Sequence, residues 1–295
     1  MEDLPHAWYN WYIRKDSYFV DMGIIQRQGI QNAIITYLGI IIGFLNLIVV
    51  QPYFLTPEEI GLTRVLFSFS SLLSVLFPLG VGHITIRYFP HFRDKEKGHH
   101  GFFGLVVFIP VIGYIAMSAI LFFLRDFFIS QYQQESPLFS EYFDFVFPLS
   151  FVLGLITVLN VYAYSLFKTS FPSLLNDVMA RVFTIIVISV YFLKWISLEQ
   201  FIFFFVAVYG LQLLLLVSFI YKIDKPSMKI NLAMLKQHNP GEIMQYGLML
   251  SVASIASLGL KYLDSVMIAK YLPLAQVGIY TIAVFIPTVI EAPLN

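Results

Sequence analysis

The stretch "GIQNAIITYLGIIIGFLNLIVV", residues 29–50, decides the class of fold. It carries no charged residue, and its 22 residues exceed the roughly 20 that an α-helix needs to cross a bilayer. Small and polar residues recur in it at spacings of three and four, so they share one side of a helix. They are Gly29, Asn32, Thr36, Gly39, Gly43 and Asn46. The stretch therefore predicts a membrane-spanning helix with one polar face.

The composition of the whole chain agrees with this interpretation. Of its 295 residues, 58% are hydrophobic and only 12% are charged, whereas a soluble domain carries about 25% charged residues. A chain with so few charges cannot cover a water-facing surface and belongs in a bilayer. The 18 basic residues balance the 18 acidic ones, which argues against a nucleic-acid partner because that partner needs a basic face. The absence of cysteine excludes disulfides and thiolate metal sites.

Seven apolar stretches are long enough to be complete membrane helices, and an eighth begins near residue 278 and is cut off at Asn295. The seven cover residues 30–50, 64–86, 102–124, 143–165, 174–193, 200–221 and 246–269. The sequence thus predicts an all-α polytopic membrane protein with about eight transmembrane helices. They form a first six-helix bundle and the start of a second repeat.

This assignment divides the chain into four segments. They are a cytoplasmic or interfacial leader at 1–29, the first six-helix bundle at 30–221, a cytoplasmic connecting segment with a short surface helix at 222–245, and the first two helices of a truncated second bundle at 246–295. Twelve Lys and Arg residues lie in loops on the side of the leader, and four lie in loops on the opposite side. Positive charge favours the cytoplasmic side. We therefore expect a multi-pass membrane protein with a cytoplasmic N-terminus.

The chain also contains an internal repeat. The polar face of the first helix recurs in the seventh at a shift of 218 residues, where Gly29 corresponds to Gly247 and Asn46 to Asp264. After these helices, "YFLTPEEIGL" at 53–62 resembles "KYLPLAQVGIY" at 270–280, at a shift of 217. Repeats of this kind are typical of secondary transporters, whose binding sites lie between the halves. We therefore expect the first and seventh helices to face each other across a hydrated, mildly cationic crevice.

Two long stretches carry a resemblance to a known family. The first is "RQGIQNAIITYLGIIIGFLNLIVVQPYFLTPEEIGLTRVLFSFSSLLSVLFPLGVGHITIRYFP", residues 27–90. It resembles the opening of bacterial oligosaccharide flippases, the polysaccharide biosynthesis proteins. The second, "YLDSVMIAKYLPLAQVGIYTIAVFIP" at 262–287, resembles the start of their second half. The resemblance covers most of the chain from about residue 26 and implies membership of the multidrug/oligosaccharidyl-lipid/polysaccharide exporter superfamily.

The resemblance implies a fold with two such bundles, so the chain is interpreted as a partial protein. It implies the flipping of a polyprenyl-diphosphate-linked oligosaccharide across the inner membrane by alternating access. This activity serves the synthesis of a surface polysaccharide such as the O-antigen of lipopolysaccharide. The implied partners are the lipid-linked oligosaccharide, membrane lipids, and polysaccharide polymerase and chain-length proteins, with no nucleic acid and no cofactor.

Lys261 and Asp264 lie three residues apart inside the seventh helix. A charge at the centre of a membrane helix costs about 2.5–3.5 kcal/mol on insertion scales, so such charges are candidates for functional sites. The two can pair along one helical face. We expect Lys261 to meet an anionic headgroup in the cavity, and Asp264 to bind substrate or a coupling ion. The alternatives are a structural ion pair, or extension of both groups to the outer surface.

Other polar residues are candidates for the same cavity. Arg87 is expected to hold the cytoplasmic entrance or a diphosphate, with an interfacial anchor as the alternative. Arg64, near the outer end of the second helix, is expected to line the outer vestibule or to anchor the helix at the interface. Asn32 and Asn46 are expected to form hydrogen bonds in the cavity. Glu291 is the second candidate for binding a coupling proton or sodium ion.

Asp177 and Arg181 are four residues apart at the predicted cytoplasmic start of the fifth helix. They form either a gate with a phosphate contact or a structural pair near the interface. His83 is expected to be a hydrogen-bonded packing residue. His99 and His100 are expected in a solvated cytoplasmic turn, and no metal site is predicted.

The sequence carries no enzyme signature such as HExxH, a Walker loop or a nucleophile elbow, so no enzymatic activity is predicted. Three alternatives to a flippase remain. The first is a cation-coupled multidrug antiporter of the same superfamily, whose cavity should be acidic. The second is a membrane-embedded polysaccharide polymerase or acyltransferase, which needs a large loop or a catalytic helix, and the third is an assembly scaffold. Lys261 in the predicted cavity favours an anionic substrate.

Overall fold

The computed structural model describes residues 27–231 and 239–291, with side chains up to residue 285 in the second range. Helices make up most of this part, and it contains no strand. The predicted leader lies outside these ranges except for residues 27–29. The centre of the connecting segment, residues 232–238, where the sequence predicts a surface helix, lies outside them too.

We number the helices of the described ranges in chain order. They are α1 (Arg27–Phe54), α2 (Pro57–Leu76), α3 (Val81–Phe92), α4 (Phe102–Phe123), α5 (Arg125–Tyr132), α6 (Pro137–Glu141), α7 (Val146–Ser165), α8 (Ser170–Phe192), α9 (Leu198–Ile223), α10 (Pro240–Tyr271) and α11 (Leu274–Glu291). Seven of them, namely α1, α2, α4, α7, α8, α9 and α10, are long and apolar enough to cross a membrane, and α11 adds a shorter apolar helix. The prediction of an all-α polytopic membrane protein is confirmed.

Contacts between helix ends define two sides of the molecule. At the side where α1 begins, Gln28 donates to the carbonyl oxygen of Phe167 between α7 and α8, at 2.7 Å. At the side where α1 ends, Tyr191 near the end of α8 donates to Glu59 in the first turn of α2. We call these the near side and the far side. The helices α2, α7, α9 and α11 begin at the far side, whereas α4, α8 and α10 begin at the near side.

The prediction of one helix over residues 64–86 is wrong, because the chain breaks between α2 and α3. After Pro78, Leu79 and Gly80 have positive φ angles of 50° and 75°. These left-handed values cannot continue a right-handed helix. A Cβ at Gly80 would overlap the carbonyl group of Gly247. The break thus places α3 in backbone contact with α10.

Two helices that begin at the far side start with the same capping motif. The Thr56 hydroxyl accepts the backbone N–H of Glu59 at 3.3 Å, while the Glu59 carboxylate accepts the N–H of Thr56 at 2.8 Å. Ser197 and Gln200 form the equivalent box at the start of α9, at 3.3 and 3.0 Å. Each cap contributes about 1 kcal/mol and satisfies donors that the first helical turn leaves open. Local sequence therefore fixes where α2 and α9 begin.

The apolar core has two parts, with α7 contributing to both. Fully buried side chains in the far-side part are Leu62, Leu66, Phe139, Phe143 and Phe201. Those in the near-side part are Phe89, Phe103, Tyr162, Leu216 and Ile220. Because α7 packs against α2, α3, α4 and α9, it is the central helix of the first bundle.

Two of the long helices are locally widened into π turns, at Leu45–Val50 in α1 and at Leu175–Met179 in α8. The two helices pack together beside these turns. Gly39 lies against Asp177, and Gly43 lies against the guanidinium of Arg181. The glycines of α1 thus provide close helix packing, as small residues do in membranes.

The helices α2 and α11 meet through two glycines that make the same contact in opposite directions. A Cβ on Gly61 would overlap the carbonyl oxygen of Leu274, and a Cβ on Gly278 would overlap the carbonyl oxygen of Pro57. The same 217 residues separate Gly61 from Gly278 and Pro57 from Leu274. A contact that is reproduced when its partners are exchanged indicates a twofold relation. This arrangement supports the internal repeat predicted from the sequence.

Several of the small and polar residues of α1 and α10 contact other helices. Gly39 and Gly43 of α1 lie against side chains of α8. On α10, Gly247 packs against the break before α3, and Ser254 lies 2.8 Å from the Nε2 atom of His83. Other helices therefore cover part of each face, whereas Ser257, Lys261 and Asp264 of α10 stay exposed. The hydrated crevice between the two faces stays a prediction.

Candidate functional site

Arg64 is a half-buried cation within the membrane-spanning part of the protein. It lies seven residues from the start of α2, roughly 10 Å from the far end at 1.5 Å per residue. Its guanidinium carbon is 5.7 Å from the centre of the Tyr262 ring in α10, and Tyr209 and Tyr280 are its other electrostatic neighbours. Its buried Nε has no hydrogen-bond partner. Within the described ranges, no carboxylate forms an ion pair with it.

Arg181 lies near the middle of α8, not at its cytoplasmic start as predicted. It is eleven residues from either end of the helix, or roughly 16 Å. It donates to the backbone carbonyl oxygen of Gly39 in α1, and its electrostatic neighbours are Asp177 and Tyr209. The side chains of Asp177 and Arg181 do not form the ion pair that their spacing allows.

Tyr209 of α9 links the two arginines, because it is an electrostatic neighbour of both. We call Arg64, Arg181, Tyr209, Tyr262 and Tyr280 the arginine–tyrosine cluster. Its members come from α2, α8, α9, α10 and α11. The cluster therefore joins α2, α8 and α9 to α10 and α11.

The two charges predicted in the seventh helix border this cluster. Both side chains are exposed, and no ion pair joins them in the part of the chain that the structure describes. Asp264 instead accepts a hydrogen bond from the Tyr280 hydroxyl at 2.8 Å. The Nζ atom of Lys261 lies 5.3 Å from the centre of the Tyr262 ring. The ion pair that the spacing allows does not form, but tyrosines bring Lys261, Asp264 and Arg64 into one region.

Buried amides continue the cluster towards the near side. Asn176, in the π turn of α8, accepts hydrogen bonds from Gln212 of α9 and from Asn160 of α7, the latter at 3.3 Å. Gln212 lies one turn beyond Tyr209 on the same side of α9. We call the cluster and these three amides the polar seam. The sequence-based predictions do not include the three amides. A signal for them was present, because a polar side chain inside a membrane span needs a hydrogen-bond partner and therefore indicates a polar contact between helices.

The two predicted cavity asparagines have different surroundings. Asn32 donates to the hydroxyl of Thr169 at 2.8 Å, and Thr169 donates to Gln28 at 3.1 Å. These bonds tie the start of α1 to the turn between α7 and α8, at the near side and apart from the seam. Asn46 lies in the π turn of α1, and its buried Oδ1 has no hydrogen-bond partner. Because π turns are frequent at functional sites, Asn46 remains a candidate.

Arg87 and His83 join α3 to α10. The exposed Arg87 stacks on Tyr246, with 4.4 Å from its guanidinium carbon to the ring centre. No carboxylate pairs with Arg87 among the described residues, so its guanidinium edge is free to meet an anion. His83 bonds to Ser254, which confirms the predicted packing role. Glu291 ends α11, but its side chain lies outside the described part.

The predicted solvated histidine turn is wrong for His99, which is 2% exposed. Its Nε2 lies 2.8 Å from Asp224 Oδ1, and the Tyr162 hydroxyl donates to Asp224 Oδ2 at 2.9 Å. All residues from Gly98 to Gly101 have positive φ angles, so the turn folds back into the near-side core. In the ranges that the structure covers, no group of three or more His, Cys, Asp or Glu side chains could hold a metal ion.

The charges around the arginine–tyrosine cluster have a positive balance. Three cations, Arg64, Arg181 and Lys261, stand against two carboxylates, Asp177 and Asp264, which leaves one net positive charge. Arginine binds phosphate through two parallel hydrogen bonds. Tyrosine hydroxyls both donate and accept, so they suit phosphate and sugar alike. The cluster is therefore suited to an anionic headgroup that carries further polar groups.

Comparison with known proteins leaves the family open: no protein family, curated protein or solved structure matches the chain. The resemblance to oligosaccharide flippases stays a prediction from the sequence.

Proposed function

We propose that the protein is a membrane transporter that flips a polyprenyl-diphosphate-linked oligosaccharide to the outer leaflet of the bacterial inner membrane. The near side is then cytoplasmic, as the distribution of Lys and Arg favours. The substrate class comes from the sequence resemblance, and the positive balance of the seam supports an anionic headgroup.

The observation that carries this proposal is the pair of arginines inside the membrane, with Tyr209 as the neighbour of both. Placing a charge at the centre of a membrane helix, where Arg181 lies, costs about 2.5–3.5 kcal/mol. Arg64, roughly 10 Å from the far end of α2, adds a smaller cost. No ion pair offsets this cost for Arg64 or Arg181 in the described residues. Packing alone gives no reason to retain such charges, whereas binding a diphosphate does.

In the proposed cycle, Arg87 meets the diphosphate at the near side, and Arg181 and Arg64 bind it in turn along the seam. The polyprenyl tail stays in lipid. The two bundles rock against each other about the seam, as alternating access requires. Asp264, hydrogen-bonded to Tyr280, is the candidate for exchanging a coupling cation, with Glu291 as the second.

The alternative within the same superfamily is a cation-coupled multidrug antiporter. Two carboxylates near the cluster, Asp177 and Asp264, favour it, but the three cations outnumber them. A polymerase or acyltransferase is less well supported because the longest fully described connection between spans, residues 77–97, is short and is largely occupied by α3.

Translocation in reconstituted vesicles tests the proposal. Fluorescent lipid-linked oligosaccharide that reaches the outer leaflet becomes accessible to an impermeant quencher. Arg64→Gln and Arg181→Gln should each slow this step about tenfold or more, since a hydrogen bond to a charged group contributes roughly 1.5–3 kcal/mol. The control is Arg125→Gln at the far surface, where Arg125 pairs with Asp144 through two bonds of 2.6 and 2.9 Å.

Three outcomes decide between the functions. Slowing by the two seam variants alone supports the flippase. Equal rates in all variants contradict it. Transport of a cationic dye that is independent of Arg64, with no movement of the lipid-linked sugar, establishes the antiporter instead.

A further inference from the structure

A pocket of about 420 Å³ opens at the near side, apart from the polar seam. This volume lies in the range of about 300–1,000 Å³ that is usual for ligand sites. Three basic side chains line it, Arg93 and Lys95 from the loop after α3 and Lys168 from the turn between α7 and α8. His99 and Asp224 line it as well. None of these residues belongs to the seam proposed for transport.

The loop that carries Arg93 and Lys95 is held by its own hydrogen bonds. The carboxylate of Asp94 accepts the backbone N–H of Lys97 at 3.2 Å, and the carbonyl oxygen of Asp94 accepts the N–H of His99 at 2.7 Å. The hydrogen bond from Lys97 holds the pKa of Asp94 below its ordinary value. These hydrogen bonds therefore give the loop a defined conformation.

The buried polar group beneath the pocket fixes this loop to α7 and α9. The N–H of Asp94 donates to Nδ1 of His99 at 3.1 Å, so Nδ1 carries no proton and the Nε2–H of His99 donates to Asp224. Tyr162 donates to the other oxygen of Asp224 at 2.9 Å. Both oxygens of the carboxylate are thus engaged below the pocket. His99, Asp224 and Tyr162 therefore act as positioning residues for the three basic side chains that line the pocket.

The three basic side chains that line the pocket have no carboxylate partner in the described residues. Arg93 stacks on Phe167, 4.6 Å from its guanidinium carbon to the ring centre, which leaves its N–H groups free. Against these three positive charges stands only the engaged carboxylate of Asp224, so the pocket keeps two net positive charges. Like charges held this close favour an anion of matching charge between them.

We infer that this pocket binds a phosphate group. Arg93 supplies a planar donor pair, and Lys95 and Lys168 supply point charges from two different connections, the combination that phosphate oxygens accept. The phosphate can belong to an anionic lipid headgroup at the membrane surface or to a soluble diphosphate. Both sources share the chemistry, and the site is independent of transport through the seam.

Binding measured on the purified full chain tests this inference. Calorimetric titration in zwitterionic nanodiscs with inorganic pyrophosphate probes the soluble source. Native mass spectrometry of retained phosphatidylglycerol probes the lipid source. The double variant Lys95→Gln/Lys168→Gln should weaken at least one of these about tenfold or more, because it removes two contacts to a charged group.

The matched control is Lys222→Gln/Lys229→Gln, which removes the same charge from exposed near-side residues that do not line the pocket. Loss of pyrophosphate binding in the pocket variant alone supports a soluble ligand, and loss of phosphatidylglycerol alone supports a headgroup. Equal loss in both double variants shows general surface attraction and overturns the inference, as does no loss in either. Lys168→Arg should retain binding, which separates a lost charge from a misfolded loop.

Discussion

Gly61→Ala and Gly278→Ala are expected to destabilise the protein to the same extent. In the reciprocal contact of α2 with α11, neither glycine has room for a Cβ. The obstacle is a backbone carbonyl oxygen in both cases, that of Leu274 for Gly61 and that of Pro57 for Gly278. Because a helix backbone cannot rotate away as a side chain can, the two helices have to move apart.

The magnitude follows from two opposing effects. Overpacking costs typically about 1–3 kcal/mol, and rigid backbone on both sides favours the upper end. Alanine in a helix interior gains about 1 kcal/mol over glycine. The expected loss for Gly61→Ala or Gly278→Ala is thus about 2 kcal/mol. Gly210→Ala in α9, where a Cβ meets nothing within 4 Å, should show the gain alone.

Reversible unfolding by SDS in detergent micelles, followed by circular dichroism, measures these free energies. One displacement of α11 relieves both overlaps, so the double variant should lose clearly less than the roughly 4 kcal/mol sum. The reciprocal contact is refuted if Gly278→Ala behaves like Gly210→Ala, or if the two losses simply add.

Three further outcomes are expected. Tyr209→Phe removes the hydroxyl between the two arginines, so flipping in vesicles should slow while the free energy of unfolding changes by at most about 1.5 kcal/mol; an unchanged rate would remove Tyr209 from the site. His99→Ala leaves one oxygen of buried Asp224 without its donor, so SDS unfolding should show a loss of about 1.5–3 kcal/mol, and a loss below that range would mean that water replaces the imidazole. The lowered pKa of Asp94, ordinarily 3.8, gives stability that is complete above that value and is lost as the pH falls through the folded pKa. Asp94→Asn should therefore reduce the fall in thermal midpoint between about pH 4 and pH 2, and an equal fall in both proteins would contradict this.

Hydropathy locates the membrane spans of this chain but not the residues at which the helices begin. The membrane spans follow from apolar length, and all seven complete candidates overlap observed helices. The second helix nevertheless begins at Pro57 and not at residue 64, because Glu58 and Glu59 lower the apolarity of its first turns. The capping pattern that begins at Thr56 carries the missing information. Hydropathy identifies the apolar segment of a membrane helix, whereas capping motifs identify the residues at which its polar ends begin.

The partners of the polar faces could not be predicted in the same way. Small residues indicate that another backbone comes close, but they do not say which one. Gly247 meets the left-handed turn at Gly80, and that turn interrupts what hydropathy shows as one helix. The spacing of Lys261 and Asp264 allows an ion pair along one helical face, but the nearest charge on the same helix is not the partner of either. Instead, Lys261 lies near Tyr262 on the same helix, and Asp264 accepts a hydrogen bond from Tyr280 on the neighbouring helix. The second contact depends on how the two helices are rotated.

The reciprocal glycine contact also bears on how transport could proceed. Arg64 lies three residues after Gly61 on α2, and Tyr280 lies two residues after Gly278 on α11. Any motion that opens the far side between α2 and α11 must therefore separate the glycines and change the surroundings of Arg64 together. Weakening the contact by about 2 kcal/mol should raise the open fraction up to about 30-fold if the loss falls only on the closed state.

This coupling can be measured because the chain has no cysteine of its own. Ser265 on α10 is 2% exposed, so Ser265→Cys should react slowly with an impermeant maleimide added at the far side. Adding Gly61→Ala should speed the reaction, whereas adding Gly210→Ala should not. Equal labelling in both backgrounds would mean that the α2–α11 contact stabilises the fold without controlling access, and the far-side gate of the transport cycle would then have to lie elsewhere.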